Sequence, residues 1–147
     1  ILKYVNLDDN SRREIANWFQ QLCVGLGLVG RVRVAFDGIN VTVGGCNSKL
    51  QEHITAVQKH KVIDGSDIDF KFAISSGPVS HRATEDTGFQ DLKVVLCKEL
   101  VTLGPRADGI TCERGGKHVS PEEFHSLLED SEDTVVIDTR NCYETRI

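Results

Sequence analysis

The sequence contains no methionine, and none of its 147 residues falls in an apolar stretch approaching the ~20 needed to span a membrane. The first absence removes an ordinary start, so the sequence is expected to be a piece of a longer protein. The second leaves no candidate for a membrane-inserted helix, and no secretory apolar core stands at the N-terminus. C-x-x-C, H-x-x-H and H-E-x-x-H spacings are all missing, so no metal and no cofactor are expected. The five cysteines, Cys23, Cys46, Cys97, Cys112 and Cys142, are odd in number and widely spaced. That argues against a disulfide framework and for reduced thiols in a cytoplasmic protein. A strong positive charge is lacking too, the formal net charge being −5. Residues 1–104 balance twelve Lys/Arg against twelve Asp/Glu, whereas residues 105–147 hold five against ten. The acidity belongs to the tail, and charge alone does not indicate long-range attraction to nucleic acid.

Local patterning carries more. Leu2 to Leu7 reads as a short strand, closed by Asp8-Asp9-Asn10-Ser11. Ser11 and Glu14 have capping-box spacing, and Ile15, Trp18, Phe19, Leu22 and Leu26 recur at helical intervals until Gly25 and Gly27. From Leu28 to Phe36 the period becomes two, with Val32, Val34 and Phe36 on one face and Arg31, Arg33 and Ala35 on the other. Asp37-Gly38 signals a hairpin, and the return strand turns Ile39, Val41 and Val43 inward and Asn40 and Thr42 outward. A second helix is expected from Asn47 or Ser48, with Leu50, Ile54 and Val57 as its apolar stripe. Ile68, Phe70, Phe72 and Ile74 then alternate as a strand, Ser75 to Gly88 is a polar loop, and Leu92 to Leu103 is an extra strand or strand pair. The order β-α-β-β-α-β is that of a split βαβ sandwich, an α+β fold with two helices on one sheet face.

Residues 105–117 are rich in Pro and Gly and read as a linker. Ser120-Pro121-Glu122-Glu123 combines an N-cap, a Pro at the first helical position and a capping-box Glu ahead of Phe124, Leu127 and Leu128. Val135 to Asp138 reads as a buried strand opening an α/β unit, tipped by Asp138 and Arg140.

Three constellations are candidates for chemistry. Cys112-Glu113-Arg114-Gly115-Gly116-Lys117 is arranged like an anion-cradling thiolate loop, but it lacks a strand before it and a helix start after it, so it reads as a free linker cysteine. Gly30-Arg31-Val32-Arg33-Val34 with Asn40 invites comparison with the arginine loop and asparagine of acylphosphatases. In those enzymes the arginine loop follows the first strand, whereas Arg31 lies inside the second, so the likeness is one of fold. The uncovered sheet face would present Arg31, Arg33, Asn40, Thr42 and Lys71, with Lys93 joining from the extra strand. Such a face can follow a phosphate backbone, or can be a solvated surface or one covered by another domain. Stacking aromatics are not expected on it, because Phe70 and Phe72 fall on the buried side by alternation.

Four stretches carry a family resemblance. They are Gly30–Ala35 with Gly38-Ile39-Asn40 and Thr42-Val43, then Lys98–Gly104, Gly116–Phe124 and Val136–Glu144. In this order they resemble proteins in which a ferredoxin/acylphosphatase-like domain is fused to a rhodanese domain, bacterial tRNA uridine hydroxylases among them. The resemblance implies a ferredoxin/acylphosphatase-like domain over 1–104, a linker over 105–117 and the opening of a rhodanese domain over 118–147. It places the sulfur-carrying cysteine of rhodanese chemistry on a later loop that no cysteine here matches. On that ground the chain is expected not to be an enzyme and not to turn over thiosulfate and cyanide. Its expected role is accessory. It would dock tRNA or another RNA through Arg31, Arg33, Asn40, Lys71 and Lys93, or else cover its own rhodanese domain, as a monomer with no membrane partner. An acylphosphatase-like hydrolase is a third reading.

Overall fold

The computed structural model describes residues 1–64, 68, 70–72, 88–101, 115–130, 134–143 and 145–146. The chain divides into two compact units, Ile1–Glu113 and Arg114–Ile147.

The first unit is organised by its hairpin. Strands β2 (Val29–Ala35) and β3 (Gly38–Gly44) pair antiparallel from Val29 opposite Gly44 to Ala35 opposite Gly38. The two-residue turn is Phe36-Asp37, one position earlier than the Asp37-Gly38 signal suggests. Neither turn residue has positive φ; the unusual backbone falls on Gly38, at φ 147. Asp37 also ties the turn down, its carboxylate accepting from the Leu100 N–H at 3.0 Å.

Strand β1 (Leu2–Tyr4) pairs antiparallel with the other edge of β3. β1 and β2 therefore run parallel with β3 inserted between them, and helix α1 (Asp9–Gly25) joins them. This is the split βαβ arrangement expected from the pattern. Strand β4 (Leu92–Leu96) adds to β2 in parallel, giving the order β1-β3-β2-β4. Of the expected extra strand, only Leu92–Leu96 pairs; residues 102 and 103 lie outside the described residues.

The helix caps depart from expectation in instructive ways. Asp8, not Ser11, caps α1, its carboxylate accepting from the Ser11 N–H at 2.7 Å. An ionised acceptor suits the partial positive charge of a helix start better than a hydroxyl does. The earlier start also brings Asp9 within reach of Arg12 and Arg13. Arg12 is largely buried: its guanidinium stacks 3.9 Å over the Phe36 ring and donates to the Cys97 carbonyl at 2.7 Å. One side chain thus links α1, the hairpin turn and the end of β4. Helix α2 (Asn47–Gln58) has Cys46 at its N-cap position, with no side-chain cap bond.

The core lies between the helices and one sheet face. Ile15, Phe19 and Cys23 of α1 meet Val32, Val34, Ile39 and Val41 of the sheet, with Val57 and Ile63 completing the cluster. Each of these larger apolar side chains stabilises the fold by about 1.5–3 kcal/mol on burial. α2 buries His53 alongside Val57, whereas Leu50 and Ile54 are only partly buried. Phe36, expected inward, is half-exposed beneath Arg12, and Ala35, expected outward, is fully buried.

Asp69, Ala73 and Ile74 of the strand expected over Ile68–Ile74 lie outside the described residues. Ile68 and Phe70 pack partly buried against the core, but Phe72 is 57 % exposed rather than buried. The described residues of this segment have no strand pairing, and without a pleat the alternation that would turn Phe72 inward does not apply. The polar loop through residue 87 and the linker through residue 114, Cys112 included, lie outside the described residues.

In the second unit Ser120 and Glu123 form the expected capping box of α3 (Pro121–Asp130): each backbone N–H donates to the other's side chain. The buried strand expected at Val135–Asp138 is absent. Val135 and Ile137 are 83 % and 79 % exposed, and described residues 134–139 are unpaired. A strand of this apolar type needs neighbours on both sides, and no described residue pairs with it.

Candidate nucleic-acid interface

Antiparallel partners and parallel bridge partners project to the same side of a sheet, so the register defines the face turned away from the helices. One row across it is Thr42, Arg31 and Lys93; the next is Leu2, Asn40, Arg33 and Val95; a third is Tyr4, Gly38 and Ala35. Arg31, Arg33, Asn40 and Lys93 are thus brought together as expected. Lys71 is described and exposed but is not placed on the sheet by any strand register.

The cations on this face are not equivalent. Arg31 donates to the backbone carbonyls of Gly30 and Asp91 and forms an ion pair of 2.8 Å with the Asp91 carboxylate. Its guanidinium also lies 5.5 Å from the centre of the Phe89 ring. The second Asp91 oxygen is 3.8 Å from the Lys93 ammonium. Asp91 therefore offsets part of the charge of this row, although ion pairs as exposed as these contribute little to stability. Arg33 is exposed and has no ion-pair partner among the described residues, which leaves its guanidinium available to a ligand.

Sequence reasoning missed the apolar members of the face. Leu2 and Val95 are about half-exposed in the Arg33 row, and Tyr4 is 43 % exposed one row away. The alternation in Leu2-Lys3-Tyr4 was the available signal, but three residues cannot say which face is covered until their register with β3 is known. In the row nearest the hairpin turn Ala35 and Gly38 are buried, whereas Tyr4 on the edge strand stays half-exposed.

Cys23, Cys46, Cys97 and Cys142 are unpaired, and burial pushes the Cys23 thiol up to about 11. Hydrogen bonding from Ser48 lowers the exposed Cys46. Among the described residues no three His, Cys, Asp or Glu side chains are grouped to hold a metal, and no helix is long and apolar enough to cross a membrane. Asp138 and Arg140 pair side by side in the second unit, at 2.6 and 3.0 Å, with both side chains exposed.

Residues 1–100 match the UPF0176 acylphosphatase like domain. The chain is 38 % identical, over 99 % of its length, to Rhodanese-like domain-containing protein 6 of Arabidopsis thaliana, covering 26 % of that protein. It is 33 % identical, over 88 % of its length, to a tRNA uridine(34) hydroxylase of Arthrobacter sp. strain FB24, covering 43 % of it. A tRNA uridine(34) hydroxylase of Bacillus velezensis is 32 % identical over 97 % of the chain, with 40 % of that protein covered. The chain therefore spans less than half the length of these relatives. Their names overturn one expectation, that the chain has no enzymatic role. That reading rested on the rhodanese cysteine that no cysteine here matches, whereas the relatives that cover most of the chain are named as hydroxylases. The chain belongs to the UPF0176 acylphosphatase-like domain family, within the rhodanese-like group that includes tRNA uridine(34) hydroxylases.

Proposed function

We propose that the protein takes part in uridine modification of tRNA in the cytoplasm, and that its domain of residues 1–104 docks the RNA on the open face of the sheet. The carrying observation is that Arg33, Arg31 and Lys93 stand in adjacent rows of one exposed face, with Asp91 the only carboxylate paired to them among the described residues. Arg33 and Lys93 meet phosphates directly. Arg31 contributes after exchanging Asp91 for a phosphate, and Asn40 and Thr42 supply neutral hydrogen bonds. Lys71, exposed but placed on the sheet by no strand register, is proposed as a further phosphate contact. Similarity to hydroxylases along most of the chain supports RNA as the ligand rather than a free anion.

Fluorescence titration with tRNA across a salt series tests this. Each phosphate contact contributes roughly 0.7–0.9 to the slope of log affinity against log salt. Arg33→Ala is expected to lower the slope by about that amount, with affinity for different tRNAs falling alike. Absence of binding at low salt would reject the docking role. A second reading, that the face packs against a rhodanese domain, is favoured by Leu2 and Val95, whose apolar side chains suit a protein partner. Titration with the separate rhodanese domain distinguishes the two, since a protein–protein contact would shift Leu2 and Val95 and leave RNA affinity unchanged by Arg33→Ala.

A further inference from the structure

We infer that Tyr4 is a stacking platform for an unpaired base, so that the RNA segment held on this sheet is single-stranded. The inference rests on the docking role and names the form of substrate it takes. Tyr4 lies on the exposed face, 43 % accessible, opposite Gly38 on β3. It makes no ring contact with another aromatic among the described residues, unlike Trp18 and Phe19, which pack on each other and on His60 and His53. Tyr4 stands on the edge strand in the row nearest the hairpin turn, half-exposed, with its ring open to a ligand on this face.

Charge fixes the occupant. Arg33 is two strands from Tyr4 and two residues along, a separation of about 12 Å from strand spacing and rise. A short run of nucleotides bridges that distance with one base on the ring and a following phosphate on the guanidinium. Lys93, beyond Arg33 on the neighbouring strand, continues the path. A duplex does not fit this arrangement, because its bases are stacked on each other and its major groove is closed to side chains. Chemistry on a base likewise requires the base to leave its stack. Leu2, beside Tyr4 on the same strand, gives a neighbouring base an apolar contact.

The test uses the whole chain with two synthetic probes, a hairpin RNA with an unpaired loop and a blunt RNA duplex of equal length. Wild type is expected to prefer the hairpin. Tyr4→Ala is expected to weaken hairpin binding roughly fivefold or more, from the usual worth of one base–aromatic stack, and to leave duplex binding and the salt slope unchanged. Tyr4→Phe keeps the ring and is expected to keep the preference, and it guards against a folding defect in the alanine variant. If Tyr4→Ala retains the hairpin preference, the stacking role is overturned while RNA docking stands. If neither probe binds wild type at low salt, docking fails and stacking with it. Equal loss on both probes would mean that Tyr4 supports the fold and not a base.

Discussion

His53 shows how much a single side chain can set the behaviour of this fold. It is 1 % exposed on the inner side of α2, facing the Phe19 ring, and its Nε2 has no hydrogen-bond partner among the described residues. Burial lowers its pKa from 6.5 to about 4. Between these values the unfolded chain binds a proton that the folded chain does not, so stability rises with pH through that window. The contribution is fully present above about pH 6.5 and is lost as pH falls toward 4. It amounts to about 2 kcal/mol between pH 7 and pH 5. His53→Leu is expected to remove that much of the pH dependence, measured as urea midpoints at the two pH values. An unchanged pH dependence would show that His53 is solvated. Sequence reading assigned the stripe to Leu50, Ile54 and Val57, because a histidine between polar neighbours carries no apolar signal. Its burial depends on the rotation of α2 against α1, which only packing determines.

At the scale of elements, short-range chemistry was legible and long-range pairing was not. The hairpin, the span of α1 and the Ser120–Glu123 capping box follow from residues a few positions apart. The parallel seat of β4 against β2 joins residues about sixty positions apart and could not be read from either strand. The same distance hid Asp91, whose carboxylate makes Arg31 a less available cation than Arg33. A tightly constrained contact, matched by Gly30 against Thr42, is where β1 meets the start of β3. A Cβ on Gly38 would come within 2.2 Å of the Lys3 carbonyl oxygen, at a φ of 147 that side chains rarely adopt. Gly38→Ala is therefore expected to destabilise the protein by roughly 1–3 kcal/mol and to detach β1, speeding amide exchange at Ile39 and Val41. Gly25→Ala is the control, since its Cβ meets nothing within 4 Å and it lies in a helix. It is expected to be neutral or slightly stabilising. Equal effects from the two substitutions would contradict this account of the β1–β3 edge.

For the whole molecule, the sheet divides the labour of the first unit. One face buries Phe19, Ile15 and the valines of β2 and β3; the other holds cations, amides and a tyrosine in register. Alternation along β2 and β3 placed those cations where the balanced total over residues 1–104 could not, because a total says nothing about which side of a sheet carries charge. The direct measurement is an amide-shift map of the chain titrated with tRNA at low salt. Shifts concentrated at Tyr4, Arg31, Arg33, Thr42 and Lys93, with the exposed surfaces of α1 and α2 unmoved, are the predicted result. Shifts on the helical side, with those five positions silent, would contradict the assignment of RNA to the open face.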